Sequence, residues 1–269
     1  MVSEKLQIGL LLPDVLGTYG DTGNAIVLRE RALARDIDAE IVYCSLNDEI
    51  PSSLDVYVLG GGEDTAQSLA TDHLRKFAGF RNACDSGKPV LAVSASMQIL
   101  GNWYIDSFGR KVEGLEVLDI ETVSRGKRFI GEIVSVPILP GISDLLTGFE
   151  NHAGVTNVGK DALPLGHVLV GKGNAGDCYN VDTLTDPAFN SMKAWESYAE
   201  ETNAEVVFNH FDGAFSNNVI GTYMHGPCLA RNPELADWLL SKALGYPLES
   251  IEFGAVEEMR RHRFGNTLI

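Results

Sequence analysis

Four places in the chain carry side chains whose type and spacing suit chemistry. At residues 89–101 the run Pro-Val-Leu-Ala-Val-Ser-Ala-Ser-Met-Gln-Ile-Leu-Gly passes from the apolar stretch Val90 to Val93 into a helical pattern beginning near Ala95. A buried strand that turns this sharply into a helix lifts the junction residue, Ser94, above the sheet edge, which is the layout of a nucleophile elbow. The small residues Ala92, Ala95 and Ser96 suit so cramped a turn. N–H groups at the helix start would face any oxyanion formed beside Ser94. An ordinary strand-to-helix connection capped by Ser94 fits the same residues equally well.

The other three places bear on that choice. Gly60-Gly61-Gly62-Glu63-Asp64 follows the apolar run Val56 to Leu59, and consecutive glycines let backbone N–H groups point into a site unobstructed. A second oxyanion donor is the preferred reading, because the spacing matches neither dinucleotide nor P-loop patterns. His225 ends an apolar run just before a loop, where a general base stands in elbow-type hydrolases, with nucleophile first and histidine later in the chain. His152, in Phe149-Glu-Asn-His-Ala-Gly154, is a rival base in what reads as a polar loop, where hydrogen-bonding roles for Glu150 and His152 account for them as well. Arg128 suits bidentate capture of a substrate carboxylate, although spacing alone favours a solvated basic turn over Arg125 to Gly131.

These residues need a scaffold, and the chain supplies an alternating one. Strands are predicted at Gln7–Leu12, Ala39–Cys44, Val56–Leu59 and Val90–Val93, with helices over Ala25–Ala34 and much of Thr65–Ser86 between them. Such alternation implies a parallel sheet covered on both faces, with ligands gathering at the carboxyl ends of the strands. Beyond Asn102 the pattern turns β-rich, with strands expected at Glu116–Val123, Glu132–Pro137, Val168–Val170 and Val219–Met224 before a helix at Pro233–Leu244. The polar stretch 180–212 reads as an insertion into a single domain spanning 1–269, partly helical around Ala194–Ala204. The segment Glu257–Arg263 reads as a solvated surface in preference to a cover over the site.

Composition narrows the function classes. A chain of 269 residues with 45% hydrophobic content buries a sizeable core, and a formal charge of −16 argues against a nucleic-acid or anionic-membrane partner. The start lacks a secretion signal and no long apolar stretch occurs, so a cytoplasmic location is expected. Cys44, Cys84, Cys178 and Cys228 are widely spaced, without a zinc pattern, and read as reduced structural thiols.

Taken together, residues 12–24 (Leu-Pro-Asp-Val-Leu-Gly-Thr-Tyr-Gly-Asp-Thr-Gly-Asn), Leu59 to Asp64, the elbow with Gln98, Phe149 to Gly154 and Gly221 to Gly226 resemble the CobB/CobQ-like class I glutamine amidotransferases. The resemblance covers roughly residues 6–245 apart from the insertion. It implies an α/β, flavodoxin-like, mostly parallel sheet covered by helices, with β-rich additions in the second half. It also implies that position 94 is the nucleophile, His225 its base and Arg128 a holder of L-glutamine. Gln98 and the backbones of Gly61, Gly62 and Ala95 would complete the glutamine and oxyanion contacts.

Two departures follow. The family nucleophile is cysteine, so Ser94 is read as an inactivating, engineered replacement in a site shaped for sulfur. The acid expected two residues after the histidine is Pro227, so the carboxylate that orients His225 must come from elsewhere in the chain or from a partner. The opening segment is most similar to the glutaminase subunit that forms a heterodimer with a MurT-like ligase. That likeness implies that the partner ligase supplies the carboxylate for His225, which would leave the isolated subunit weakly active, and that ammonia passes to the partner, which amidates the D-glutamate of the lipid II stem peptide in peptidoglycan synthesis. No cofactor is expected in this chain, which has no Walker-type loop; ATP and any metal belong to the partner. The competing readings are a cobyrinate-type amidotransferase subunit, a serine peptidase, whose elbow would favour glycine at position 96, and an inactive scaffold for the ligase.

Overall fold

The computed structural model describes residues 5–178 and 210–267. Its apolar runs form a six-stranded sheet from β1 (Leu6–Leu11), β2 (Ala39–Cys44), β3 (Val56–Leu59), β4 (Val90–Val93), β12 (Ala214–Ser216) and β13 (Val219–Thr222), in the order β12-β13-β4-β3-β1-β2. All neighbours are parallel except the β12–β13 pair. Strands β3, β4 and β13 are buried along their whole length, which is why they read as unbroken apolar runs rather than alternating ones. Successive side chains serve two cores. Val56, Val58, Leu91 and Val93 pack with α1 (Gly23–Leu33) and a helix at Pro233–Leu244, whereas Tyr57, Leu59, Val90 and Ala92 pack with α2 (Asp64–Lys76), α3 (Ala78–Asp85) and α4 (Ala95–Leu100).

A second, largely antiparallel sheet stands against the carboxyl ends of the first. It is built on β7 (Ile120–Pro137) and β8 (Leu146–Val158), paired from Ile120↔Val158 to Ser135↔Leu146, with an irregularity between Ser124 and Phe129. β5 (Trp103–Ile105) joins β7 in parallel and carries β6 (Lys111–Glu113) at its edge, while β9 (Gly166–Val170) and β10 (Ala175–Cys178) flank β7 and β8. The mixed α/β architecture, mostly parallel in the site-bearing sheet with β-rich additions after it, is the one expected.

Several local expectations are corrected. The helix predicted over Thr65–Ser86 is two helices, because the chain is extended at Phe77 (φ −112°, ψ 123°). That break seats Gly79 against the Ile50 carbonyl, where an added Cβ would stand 1.8 Å away. The strand expected at Glu116–Val123 begins at Ile120, and Leu115, Val117 and Leu118 instead donate to carbonyls of Ile99 and Leu100. Glu132–Pro137 is the far half of the same strand β7, and the basic turn at Arg125–Gly131 is its irregular middle, with Gly126 at φ 69°. His152 lies in strand β8 rather than in a polar loop.

The expected insertion over 180–212 lies outside the described residues except at its end, where β11 (Phe211–Asp212) pairs with β9. After β13 come α5 (Cys228–Arg231), α6 (Pro233–Leu244) and α7 (Gly254–Thr267). α7 is not merely solvated surface, since Arg260 is 5% exposed and donates to the carbonyls of Arg231 and Leu145. No helix among the described residues is long and apolar enough to cross a membrane.

Candidate active site

Strand register brings the expected nucleophile and base to one sheet edge. Val93 pairs with Thr222 across β4 and β13, and the Ser94 N–H donates to the Thr222 carbonyl at 2.8 Å, so both strands end side by side. Ser94 itself has φ 56° and ψ −109°, a strained backbone for a residue with a side chain. The strain is held by that hydrogen bond on one side and by Gln98 N–H donating to the Ser94 carbonyl at 3.2 Å on the other. These are the marks of an elbow rather than of an ordinary cap, and the Ser94 side chain makes no capping bond to the helix it precedes.

Three residues beyond β13, His225 is fixed through its backbone to β8. Its N–H donates to the Phe149 carbonyl at 3.0 Å and its carbonyl accepts from Phe149 N–H at 3.1 Å. Its ring is 1% exposed, and Nδ1 lies 2.8 Å from Oδ2 of Asp21, a fully buried residue in the loop between β1 and α1. An Nδ1 facing a carboxylate carries the proton, which leaves Nε2 as a bare acceptor. That atom is buried and without a hydrogen-bond partner among the described residues. The carboxylate that orients His225 therefore belongs to this chain, which corrects the expectation that the partner ligase supplies it.

Asp21 has a second task that corrects one expectation about the glycine loop. The Gly61 N–H, expected to face an oxyanion, donates to the same Asp21 Oδ2 at 2.9 Å. Gly61 is tightly enclosed: an added Cβ would stand 2.8 Å from His225 Cε1. Ser96 donates its hydroxyl to the Gly60 carbonyl, which ties the elbow helix to this loop. Of the three backbones expected to meet the oxyanion, those of Gly62 and Ala95 lie in the cleft wall.

The cleft beside Ser94 has a volume of about 140 Å³ and is walled by Gly62, Ala95, Gln98, Arg128 and His152 among others. That is small for a ligand site, and it suits an amino acid side chain better than a nucleotide. Gln98 is placed there but its amide is engaged: Nε2 donates to the Tyr223 hydroxyl at 3.0 Å, and Oε1 accepts from Gln67 Nε2 at 2.8 Å. Tyr223 in turn meets Thr156 Oγ1 at 2.7 Å. Burial pushes the Tyr223 phenol up to about 12, so it stays a neutral link in this chain of hydrogen bonds. Arg128 stands at the mouth, its Nε donating to Asn151 Oδ1 at 2.6 Å and its Nη2 to the Tyr19 hydroxyl at 3.4 Å. A guanidinium steered by such neutral partners keeps its charge available for a carboxylate.

The structure thus gathers Ser94, Ala95, Gly62, Gln98 and Arg128 in one cleft and sets His225 at the same strand ends. Sequence reasoning passed over Asp21, Tyr19, Gln67 and Tyr223. The available signal for Asp21 was an acid in the loop after the first strand, immediately before a helix. Among the three cysteines whose side chains are described, burial pushes Cys84 and Cys228 up to about 12 and raises Cys44, so none offers a thiolate that replaces Ser94.

Comparison with known proteins shows the family. Residues 7–189 match the CobB/CobQ-like glutamine amidotransferase domain. The chain is 33% identical over 261 residues to "Lipid II isoglutaminyl synthase (glutamine-hydrolyzing) subunit GatD" of Staphylococcus aureus (strain N315), covering 95% of this chain and 93% of that protein. It is 33% identical to the protein of the same name from Streptococcus pneumoniae (strain ATCC BAA-255 / R6), over 89% of this chain and 81% of the other. A cobyric acid synthase of Clostridium botulinum (strain 657 / Type Ba4) is 23% identical over 72% of this chain, which corresponds to 34% of that longer protein.

Proposed function

The chain belongs to the CobB/CobQ-like glutamine amidotransferase family, and from that premise we propose that it is the glutamine-hydrolysing subunit of a lipid II isoglutaminyl synthase, working with a MurT-like ATP-dependent ligase. The observation that carries the reading is the Asp21–His225 pair set at the strand ends beside the Ser94 elbow. Arg128 takes the α-carboxylate of L-glutamine at the cleft mouth, and the side-chain carboxamide lies along the cleft toward position 94. The nucleophile at position 94 attacks the amide carbon while His225 Nε2 accepts its proton, and the oxyanion is met by the N–H groups of Ala95 and Gly62. The imidazolium formed is stabilised by Asp21 and returns the proton to the departing nitrogen, which leaves as ammonia. Water, deprotonated by His225, then cleaves the acyl intermediate to release glutamate.

Ser94 occupies the place of the family's cysteine. A serine alkoxide is far harder to form than a thiolate, so we read Ser94 as the replacement of a catalytic cysteine and expect this form to be slow. The match over most of the length of the two GatD proteins supports the lipid II reading over a cobyrinate-type one, since the chain spans only about a third of the cobyric acid synthase it resembles. ATP and any metal are assigned to the ligase. The test supplies the Ser94→Cys chain, a MurT-like ligase, ATP, lipid II and glutamine carrying heavy nitrogen in its amide. Heavy nitrogen in the stem-peptide D-isoglutamine supports the proposal. Label released as free ammonia with lipid II unchanged leaves a glutaminase with a different acceptor, and no release at all leaves a scaffold.

A further inference from the structure

The side-chain hydrogen bonds beneath the elbow run in one direction, and a residue with no part in the mechanism above sets it. Gln67 lies in the first turn of α2, whose N-cap, Glu63, follows Gly62 directly. It is 4% exposed and lines the cleft. Its Nε2 is 3.2 Å from the Ala95 carbonyl and 2.8 Å from Gln98 Oε1, so its two hydrogens serve two acceptors. A backbone carbonyl can only accept, which gives the Gln67 amide a single orientation, nitrogen toward the elbow. Gln98 must then turn its oxygen to Gln67, which aims its own Nε2 at the Tyr223 hydroxyl and leaves the phenol hydrogen for Thr156 Oγ1.

The two residues that Gln67 grips are those that set one peptide plane. The peptide between Ser94 and Ala95 carries the Ala95 N–H assigned to the oxyanion, and its carbonyl accepts from the Gln98 N–H at 3.2 Å. Ser94 holds a strained backbone at one side of this plane, with φ 56° and ψ −109°. Such a conformation persists only where its surroundings over-determine it. Gln67 supplies that restraint from outside the elbow, through the Ala95 carbonyl and through the Gln98 side chain.

We infer that Gln67 is a positioning residue for glutamine hydrolysis, holding the Ser94–Ala95 peptide so that its N–H meets the developing oxyanion. This rests on the proposed function and adds to it a residue that acts through Ala95 and Gln98. An oxyanion donor held in place before reaction stabilises the transition state more than the bound substrate, so the effect falls on kcat.

The test is steady-state glutaminase kinetics in the Ser94→Cys background, read well below the melting temperature of every variant. Gln67→Met keeps the length and removes the donor, whereas Gln67→Glu keeps the shape and turns an acceptor oxygen on the Ala95 carbonyl and Gln98 Oε1. We expect kcat about tenfold lower in the first and lower again in the second, with KM for glutamine within about twofold of the parent. Because the hold runs partly through Gln98, Gln67→Met should cost less in kcat when Gln98→Met is already present. Parent-like kcat in Gln67→Met, a loss confined to KM, or a loss of equal size in the Gln98→Met background overturns the inference alone. Should Gln67→Glu fail to fold, Gln67→Met and the double variant decide it. A Ser94→Cys chain that releases no glutamate, with or without a ligase, overturns the proposed function, and this inference with it.

Discussion

Asp21 Oδ2 lies 2.8 Å from His225 Nδ1, a contact between residues 204 positions apart in the chain. Both are sealed from solvent, and the oxygen involved also holds the Gly61 N–H. One carboxylate thus fixes the tautomer of the base and the position of the glycine loop at once. Replacing it by asparagine keeps the shape but offers His225 a neutral partner, or an N–H where an acceptor is needed. Asp21→Asn in the Ser94→Cys background should lower glutamate release by about 10⁴-fold, of the order seen when the orienting acid of a nucleophile–histidine pair is neutralised. The loss should appear both with and without a ligase; initial rates of glutamate formation check it.

Gly61→Ala tests the same arrangement from the other side. The new methyl would stand 2.8 Å from His225 Cε1 and 3.2 Å from Asp21 Oδ2, so the ring must turn or the loop must retreat. We expect turnover to fall at least about 10²-fold, as a misplacement near 1 Å can do. The circular dichroism spectrum should be unchanged, because the clash falls on side chains rather than on a sheet.

Arg128 should act on binding rather than on the chemical step. It is exposed at the cleft mouth and is held by Asn151 and Tyr19. Arg128→Ala should raise the KM for glutamine while changing kcat far less. Arg128→Lys should restore little, because an ammonium lacks the planar fork that meets a carboxylate with two N–H groups. Steady-state kinetics with varied glutamine separate the two parameters.

Asp212 supplies a pH dependence of stability. Burial, with the Glu150 charge nearby, pushes its carboxyl up to about 7 against the partial relief given by Thr222, whose hydroxyl donates to it at 2.5 Å. Between about pH 4, where the unfolded acid ionises, and about pH 7, the folded chain holds a proton that the unfolded chain has lost. Its contribution to stability therefore declines as pH rises through that window, by up to about 1.4 kcal/mol per pH unit. Asp212→Asn should flatten the curve over the same range and raise the melting temperature above pH 7 relative to the parent. Thermal melts across pH 4 to 8 check this.

How much of this was legible in the sequence depended on whether a residue's partner was local. Val56–Leu59, Val90–Val93 and Pro233–Leu244 take the limits their apolar patterns set, because each is bounded by glycine, proline or an acidic turn and is buried by its immediate neighbours. β8 escaped notice because Glu150 and Thr156 are buried polar residues whose hydrogen bonds come from other strands and loops, so the stretch looks like a loop when read alone. The break at Phe77 depends on the distant Ile50 carbonyl. Asp21 was visible only as an acid in a glycine-bearing turn, and its role follows from a histidine that arrives with the last strand of the parallel sheet. The elbow, by contrast, was readable because strand, small residues and helix are contiguous.

The most direct test is glutamate release from L-glutamine by the Ser94 chain and by Ser94→Cys, each with and without a MurT-like ligase. The account predicts that the cysteine form turns over and that the serine form is slower by orders of magnitude. It also predicts that the cysteine form retains basal activity alone, since Asp21 is in this chain, and that the ligase accelerates it. Absence of glutamate from the cysteine form, even with the ligase present, would contradict the assignment of Ser94, His225 and Arg128 together.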